Sequence, residues 1–130
     1  MTTPCPCGRT DARGKPMPLA ACCGRYLDHE TLAPDAEHLM RSRYSAFVLE
    51  RVDYLNASWH ASTRPIDLTL EPDVKWLGLE VRSHRVIDAD HAEVKFVARS
   101  RVAGRGQRLQ EMSRFVREGG RWFYVDGDLT

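Results

Sequence analysis

The sequence predicts an α+β fold: a curved antiparallel sheet wrapped over two or three helices, with a small cysteine-rich module in front of it. Three observations predict this. All four cysteines lie within the first 23 residues. Helical periodicity occupies the segment from Asp35 to about Trp59. Strand-like alternation begins near Trp76 and continues to Val125. Helices first and strands second, with no βαβ alternation, define the class.

Residues 1–30 are rich in Pro, Gly and Cys and carry no sustained period. Cys5 and Cys7 stand in C-P-C-G, and Cys22 and Cys23 in C-C-G. Four thiolates in two close pairs can close a tetrahedral zinc shell, and a metal would supply the folding energy that such a segment lacks. Gly8 and Gly24 each follow a cysteine, where a tight backbone turn aims amides at a thiolate. Two other readings stand beside zinc. Disulfides belong to secreted chains, and the first 20 residues hold no long apolar run and are broken by Pro4, Pro6, Pro16 and Pro18. A redox pair usually takes the C-x-x-C form, unlike C-x-C or adjacent cysteines. A reducing compartment, the cytoplasm, is expected.

Pro34-Asp35-Ala36-Glu37 opens a helix, with Asp35 as N-cap and Glu37 at the positive end of the dipole. The helix runs to about Glu50, with Met40, Tyr44, Phe47 and Val48 as its apolar stripe and Arg41 and Arg43 flanking it. Asp53 is expected to cap a second short helix with Leu55 and Trp59 on one face, ended by Arg64-Pro65. Residues 61–74 suit either a short helix or an irregular connection.

Four strands follow. Trp76 to Val81 is expected to place Leu77, Leu79 and Val81 on one face, and Val94, Phe96 and Ala98 alternate in the next. Leu109 to Val116 and Arg121 to Val125 complete the set. Asp88-Ala89-Asp90, Gly104-Arg105-Gly106 and Gly119-Gly120 separate them, which favours an antiparallel meander. Hydrophobic residues make up 42% and charged residues 28%, the balance of a globular chain, and the net charge of +1 argues against a dedicated nucleic-acid binder.

The segments H-L-M-R-S-R-Y-S-A-F-V (His38 to Val48), Trp59-His60, W-L-G-L-E-V (Trp76 to Val81), F-V-A-R (Phe96 to Arg99) and S-R-F-V-R-E-G-G-R-W-F-Y-V-D-G (Ser113 to Gly127), together with C-P-C-G and C-C-G, resemble the YchJ-like family of uncharacterised bacterial proteins. The resemblance covers nearly the whole chain. It implies a SEC-C-like zinc module over residues 1–30, with Cys5, Cys7, Cys22 and Cys23 as ligands, and a nuclear transport factor 2-like cone over residues 31–130. The SEC-C element also ends the SecA translocation ATPase, where it contacts partner proteins. By that resemblance the expected partner is a protein of the translocation, chaperone or ribosome-associated kind. The loop from Gly8 to Ala21 is longer than the family's usual one, but doubling a loop costs only roughly 0.6 kcal/mol of closure entropy. No second copy of the motif precedes Thr130, so a single use of it is expected.

In the cone, His60 and Glu111 are candidates for proton transfer. His60 titrates near neutrality, and Glu111 shares strand parity with Leu109, Ser113 and Phe115. Each has a structural alternative: a helix-end histidine bonded to a carbonyl, or a carboxylate paired with Arg41, Arg43 or Arg99. Arg41, Tyr44, Trp59, Trp76, Arg114 and Asp126 are candidates for ligand contact, Asp126-Gly127 being first of all a turn signature. Arg99, Arg101, Arg105 and Arg108 share one hairpin that suits either phosphate contact or a solvated edge. Three functions are therefore carried forward: a zinc-bearing adaptor, a small-molecule binder or proton-transfer enzyme using the cone pocket, and weak RNA or ribosome binding through the arginine hairpin.

Overall fold

The computed structural model describes residues 3–130. A short 3-10 turn (Leu19–Ala21) and helices α1 (Gly24–Leu27), α2 (Ala36–Val48) and α3 (Val52–Ala57) precede strands β1 (Val74–Asp88), β2 (His91–Val102), β3 (Arg105–Glu118) and β4 (Arg121–Leu129). The strands form one antiparallel meander in the order β1-β2-β3-β4. Helix α2 lies against the sheet, in contact with β1, β2 and β4. Among the described residues no helix is long and apolar enough to cross a membrane.

Asp35 is the N-cap of α2, its carboxylate accepting the His38 backbone N–H at 2.8 Å. At the other end the chain reverses through Glu50, whose φ of 57° lies in the left-handed region. The Arg51 N–H reaches the Ala46 carbonyl at 2.8 Å and the Glu50 N–H reaches Phe47 at 3.4 Å, a Schellman closure with glutamate where glycine is usual. Glu50→Gly is accordingly expected to raise stability by up to about 1 kcal/mol in urea denaturation, because glycine bears no left-handed penalty.

Several elements differ from expectation. Arg51, not Asp53, is the N-cap of α3, and Asp53 sits in its first turn, accepting from Arg51 Nε at 3.2 Å. α3 ends at Ala57, well before Arg64-Pro65, because Ser58 to His60 leave it to pair with the edge of β4. The Tyr124 N–H bonds the Ser58 carbonyl at 2.9 Å, and the His60 N–H bonds the Tyr124 carbonyl at 2.8 Å. Residues 61–73 are irregular. Leu77 is 48% exposed rather than inward, since a register shift between Trp76 and Gly78 reverses the alternation and leaves both Trp76 and Leu79 packed on the core. The strands outrun the apolar alternation, because charged outer-face residues continue the ladder. Asp126-Gly127 is therefore strand, not turn: Asp126 pairs with Arg114 and Gly127 with Ser113.

Ahead of α2, residues 3–19 form an irregular hairpin. Its arms are tied by Leu19 N–H to Thr3 O at 2.8 Å, Cys5 N–H to Met17 O at 2.8 Å and Met17 N–H to Arg9 O at 2.9 Å. The tip, Asp11 to Lys15, is exposed. Tyr26 and Leu27 of α1 and all four cysteines join the same buried cluster as Leu39, Met40 and Tyr44 of α2.

Candidate functional site: a four-cysteine centre and a cone cavity

The hairpin carries Cys5 and Cys7, and the segment between the 3-10 turn and α1 brings Cys22 and Cys23 against them. Gly24 makes this approach possible: a Cβ there would lie 2.7 Å from the Leu19 carbonyl oxygen. All four side chains are buried, and their sulfurs lie within 4.8 Å of one another. Cys5 and Cys7 Sγ are 3.5 Å apart, and Cys7 and Cys22 Sγ 3.7 Å. Zinc–sulfur bonds of ~2.3 Å give a tetrahedron edge of about 3.8 Å, whereas a disulfide needs ~2.05 Å. All four cysteines are free. The donor set thus fits a closed, four-thiolate site with no position left for water.

Hydrogen bonds from the Cys23 and Cys7 thiols hold Cys5 far below the usual thiol range. Cys23 is driven far above it, first by donating to Cys5 and then to Cys7. Burial, followed by the charge on its neighbours, pushes Cys22 up to about 12. Deprotonating Cys22 or Cys23 beside the Cys5 thiolate is thus disfavoured, and a divalent cation would relieve that repulsion. Around the sulfurs, Ser45 Oγ lies 3.6 Å from Cys5 Sγ. Arg41 Nη1 donates to the Cys7 carbonyl at 3.1 Å while its Nε holds Glu37 at 3.0 Å. His38 links Asp35, at 2.7 Å from its Nδ1, to Arg9, which contacts its Nε2.

A second site lies between α2 and the concave face of the sheet. It is a cavity of about 240 Å³ walled by aromatic and aliphatic side chains. Tyr44 and Trp76 meet edge to face at 5.6 Å, and Trp59 meets Tyr124 likewise at 5.2 Å. Glu111 enters this cavity with Leu109, Ser113 and Phe115, the residues whose strand parity it shares. Its carboxylate accepts from the Ser113 hydroxyl and, at 3.5 Å, from Tyr124. Burial and then the Glu111 charge push Tyr124 up to about 12.

The cavity's cation is Arg43. It is buried, its Nη1 donating to the Leu55 carbonyl at 3.0 Å and to Ser58 Oγ at 2.6 Å. Its guanidinium lies 4.8 Å from the Trp59 ring and 4.6 Å from that of Tyr124. Burial lowers its pKa to about 10, which leaves it charged at neutral pH.

Tyr44, Trp59, Trp76 and Glu111 thus come together, and the other candidates stand elsewhere. Arg41 serves the cysteine centre. Arg114 lies across the β3–β4 pair, bonding Asp126 at 2.6 Å and Asp128 at 2.7 Å. His60 bonds Glu118 at 2.9 Å and Ser62 at 2.7 Å, outside the cavity lining. On the arginine hairpin, Arg99 approaches Glu80 at 3.8 Å, and Arg101, Arg105 and Arg108 are exposed. The sequence reading had offered Arg43 only as a partner for Glu111. Position 43 lies three residues from Met40 and four from Phe47, so the helical stripe itself points it inward.

Gly127 gives Glu111 its room: a Cβ there would meet the Glu111 carboxylate carbon at 2.7 Å. Gly127→Ala should therefore displace Glu111 from Ser113 at a cost of about 1 kcal/mol. Loss of the Ser113–Glu111 contact in a variant structure, with a small drop in melting temperature, is the expected result.

Comparison with known proteins places these features in context. A family model described as YchJ, middle NTF2-like domain, matches residues 35–127. A UPF0225 protein of Polaromonas naphthalenivorans is 68% identical, over 98% of each chain. One from Bordetella pertussis is 55% identical, over 96% of this chain and 92% of its own. The solution structure of a SEC-C motif containing protein from Rhodopseudomonas palustris superposes with a TM-score of 0.83 at 28% identity, covering 98% of this chain and 99% of the other. The crystal structure of a SEC-C motif containing protein from Psychrobacter arcticus gives 0.82 at 29% identity, over 98% of this chain and 83% of the other.

Proposed function

Because the chain belongs to the YchJ family of UPF0225 proteins, whose solved relatives are described by their SEC-C motif, we propose that it is a zinc-bearing adaptor. Cys5, Cys7, Cys22 and Cys23 hold one structural zinc ion, and the module over residues 1–30 so formed engages a protein partner. The observation that carries this reading is the gathering of four buried sulfurs within 4.8 Å beneath a hairpin whose tip is exposed. Zinc with four thiolates acts as a cross-link rather than a catalyst. It anchors one end of the hairpin and leaves Asp11, Arg13 and Lys15 facing solvent as polar contacts. The partner class, a translocation, chaperone or ribosome-associated protein, rests on the resemblance to the SecA element, and the cytoplasm is the compartment that suits it.

Site-specific photo-crosslinking from position 13 of the zinc-loaded full chain tests this. The adaptor reading expects one protein partner in cytosolic extract, lost with Cys22→Ser and retained with Glu111→Gln. A captured set that is indifferent to Cys22→Ser rejects it.

A further inference from the structure

The cone cavity contains more polar capacity than its own walls consume. Arg43 has five N–H donors. Among the described residues only Nη1 makes hydrogen bonds, to Leu55 and Ser58, so Nε and Nη2 leave three donors uncommitted. The Trp59 indole Nε1, beside it, is buried with no acceptor. At the other side of Tyr124, Glu111 engages Ser113 and Tyr124 through Oε2 alone, leaving Oε1 without a donor among the described residues. A buried guanidinium with no bonded carboxylate and an indole N–H with no acceptor are each costly in a core that has only to pack. Here the guanidinium and a carboxylate line one space and both touch Tyr124, the first 4.6 Å from its ring and the second 3.5 Å from its hydroxyl.

The space has a definite size. Its volume of about 240 Å³ exceeds the ~150 Å³ that holds benzene and falls short of the ~300 Å³ at which drug-sized pockets begin. One ring with two small substituents fits it. The walls are aromatic, with Tyr44, Phe47, Trp76 and Phe96 among them. Such walls favour a flat apolar body held edge to face or offset.

We propose that this cavity binds a single-ring aromatic compound with an acceptor oxygen at one end and a hydrogen-bond donor at the other. The acceptor, a carboxylate or a carbonyl, meets the free N–H groups of Arg43. The donor, a hydroxyl or amine, meets Glu111 Oε1. The arrangement discriminates by polarity: an apolar ring of equal size leaves the Arg43 and Glu111 charges as unpaired as they are without it. The cavity lining and the cysteine centre share no residue, so this site does not rest on the adaptor reading.

The test is titration of the zinc-loaded full chain with three probes, followed by NMR of the Trp59 indole and neighbouring amides. The probes are 4-hydroxybenzoate, 4-hydroxyacetophenone and p-xylene. At least one of the oxygenated probes is expected to give saturable shifts at Trp59 and Tyr124 with an affinity at least tenfold above that of p-xylene. The acid binding tighter assigns a carboxylate ligand, and the ketone binding tighter assigns a neutral carbonyl. Glu111→Gln, which keeps the shape, should weaken the better oxygenated probe at least fivefold and leave p-xylene unchanged. Ala98→Leu, which fills the space, should abolish binding of all three. Equal or tighter binding of p-xylene, no saturable shift from either oxygenated probe in folded protein, or no loss with Glu111→Gln would each overturn the proposal.

Discussion

Replacing Cys23 with Ser is expected to abolish metal retention and to lower the melting temperature by more than about 10 °C. Structural zinc contributes ~10–16 kcal/mol to the folding of isolated zinc-binding peptides. Even a third of that, about 3–5 kcal/mol, shifts a domain of this size by ten degrees or more at ~4 °C per kcal/mol. Cys23 is 1% exposed and is the N-cap residue of α1, so its loss also frees the turn that seats Tyr26 and Leu27. Those residues tie the module to the cone: Tyr26 packs edge to face on His38 at 6.2 Å, and Arg51 Nη2 holds the Leu27 carbonyl at 2.9 Å. Hydrogen exchange should show protection lost across residues 3–30 and weakened in α2. It should stay intact in β2 and β3, whose ladder does not depend on the module. Protection retained in the sheet would support separate units at 1–30 and 31–130. Simultaneous loss everywhere would make the chain one cooperative unit, and an unchanged melting temperature would remove zinc from the account of stability.

The second large effect is expected at Arg43. Arg43→Ala should destabilise the chain by about 3 kcal/mol, the cost of withdrawing one partner from a buried polar network. The substitution strips the Leu55 carbonyl and the Ser58 hydroxyl of the Arg43 donor and removes the cation packed against the Trp59 and Tyr124 rings. Arg114→Ala, which breaks only exposed pairs with Asp126 and Asp128, should cost less than about 1 kcal/mol. Urea denaturation of the two variants separates them. Equal costs would contradict the role assigned to Arg43.

Much of this architecture is legible in the residues, for reasons that differ by element. α2 is marked at its start because Asp35 offers a capping oxygen to the His38 N–H, and only a few residue types do so. The sheet is marked by alternation, and parity groups Glu111 with Ser113 and Phe115, while the face that turns inward is decided by the helix packed on it. The cysteine centre is legible because four thiols leave few chemical uses once disulfides are set aside.

What escaped is equally physical. The bulge between Trp76 and Gly78 turns Leu77 outward, and hydrophobicity carries no sign of a register shift. Asp126-Gly127 has the composition of a turn. Its glycine serves instead to admit the Glu111 carboxylate, a long-range contact that no local window reveals. Trp59 belongs to a β4 bridge rather than to α3, because its partner Tyr124 lies 65 residues later in the chain. Arg41 and Arg43 are neighbours in sequence, yet one bonds the Cys7 carbonyl and the other lies in the cone. Helical angle separates them, two residues spanning about 200° around the axis.

The most direct measurement is zinc per chain, by elemental mass spectrometry, on protein purified without added metal or chelator, with Cys22→Ser alongside. The account predicts one zinc per chain in the native protein and none in the variant. Native protein that is folded yet free of zinc would contradict it.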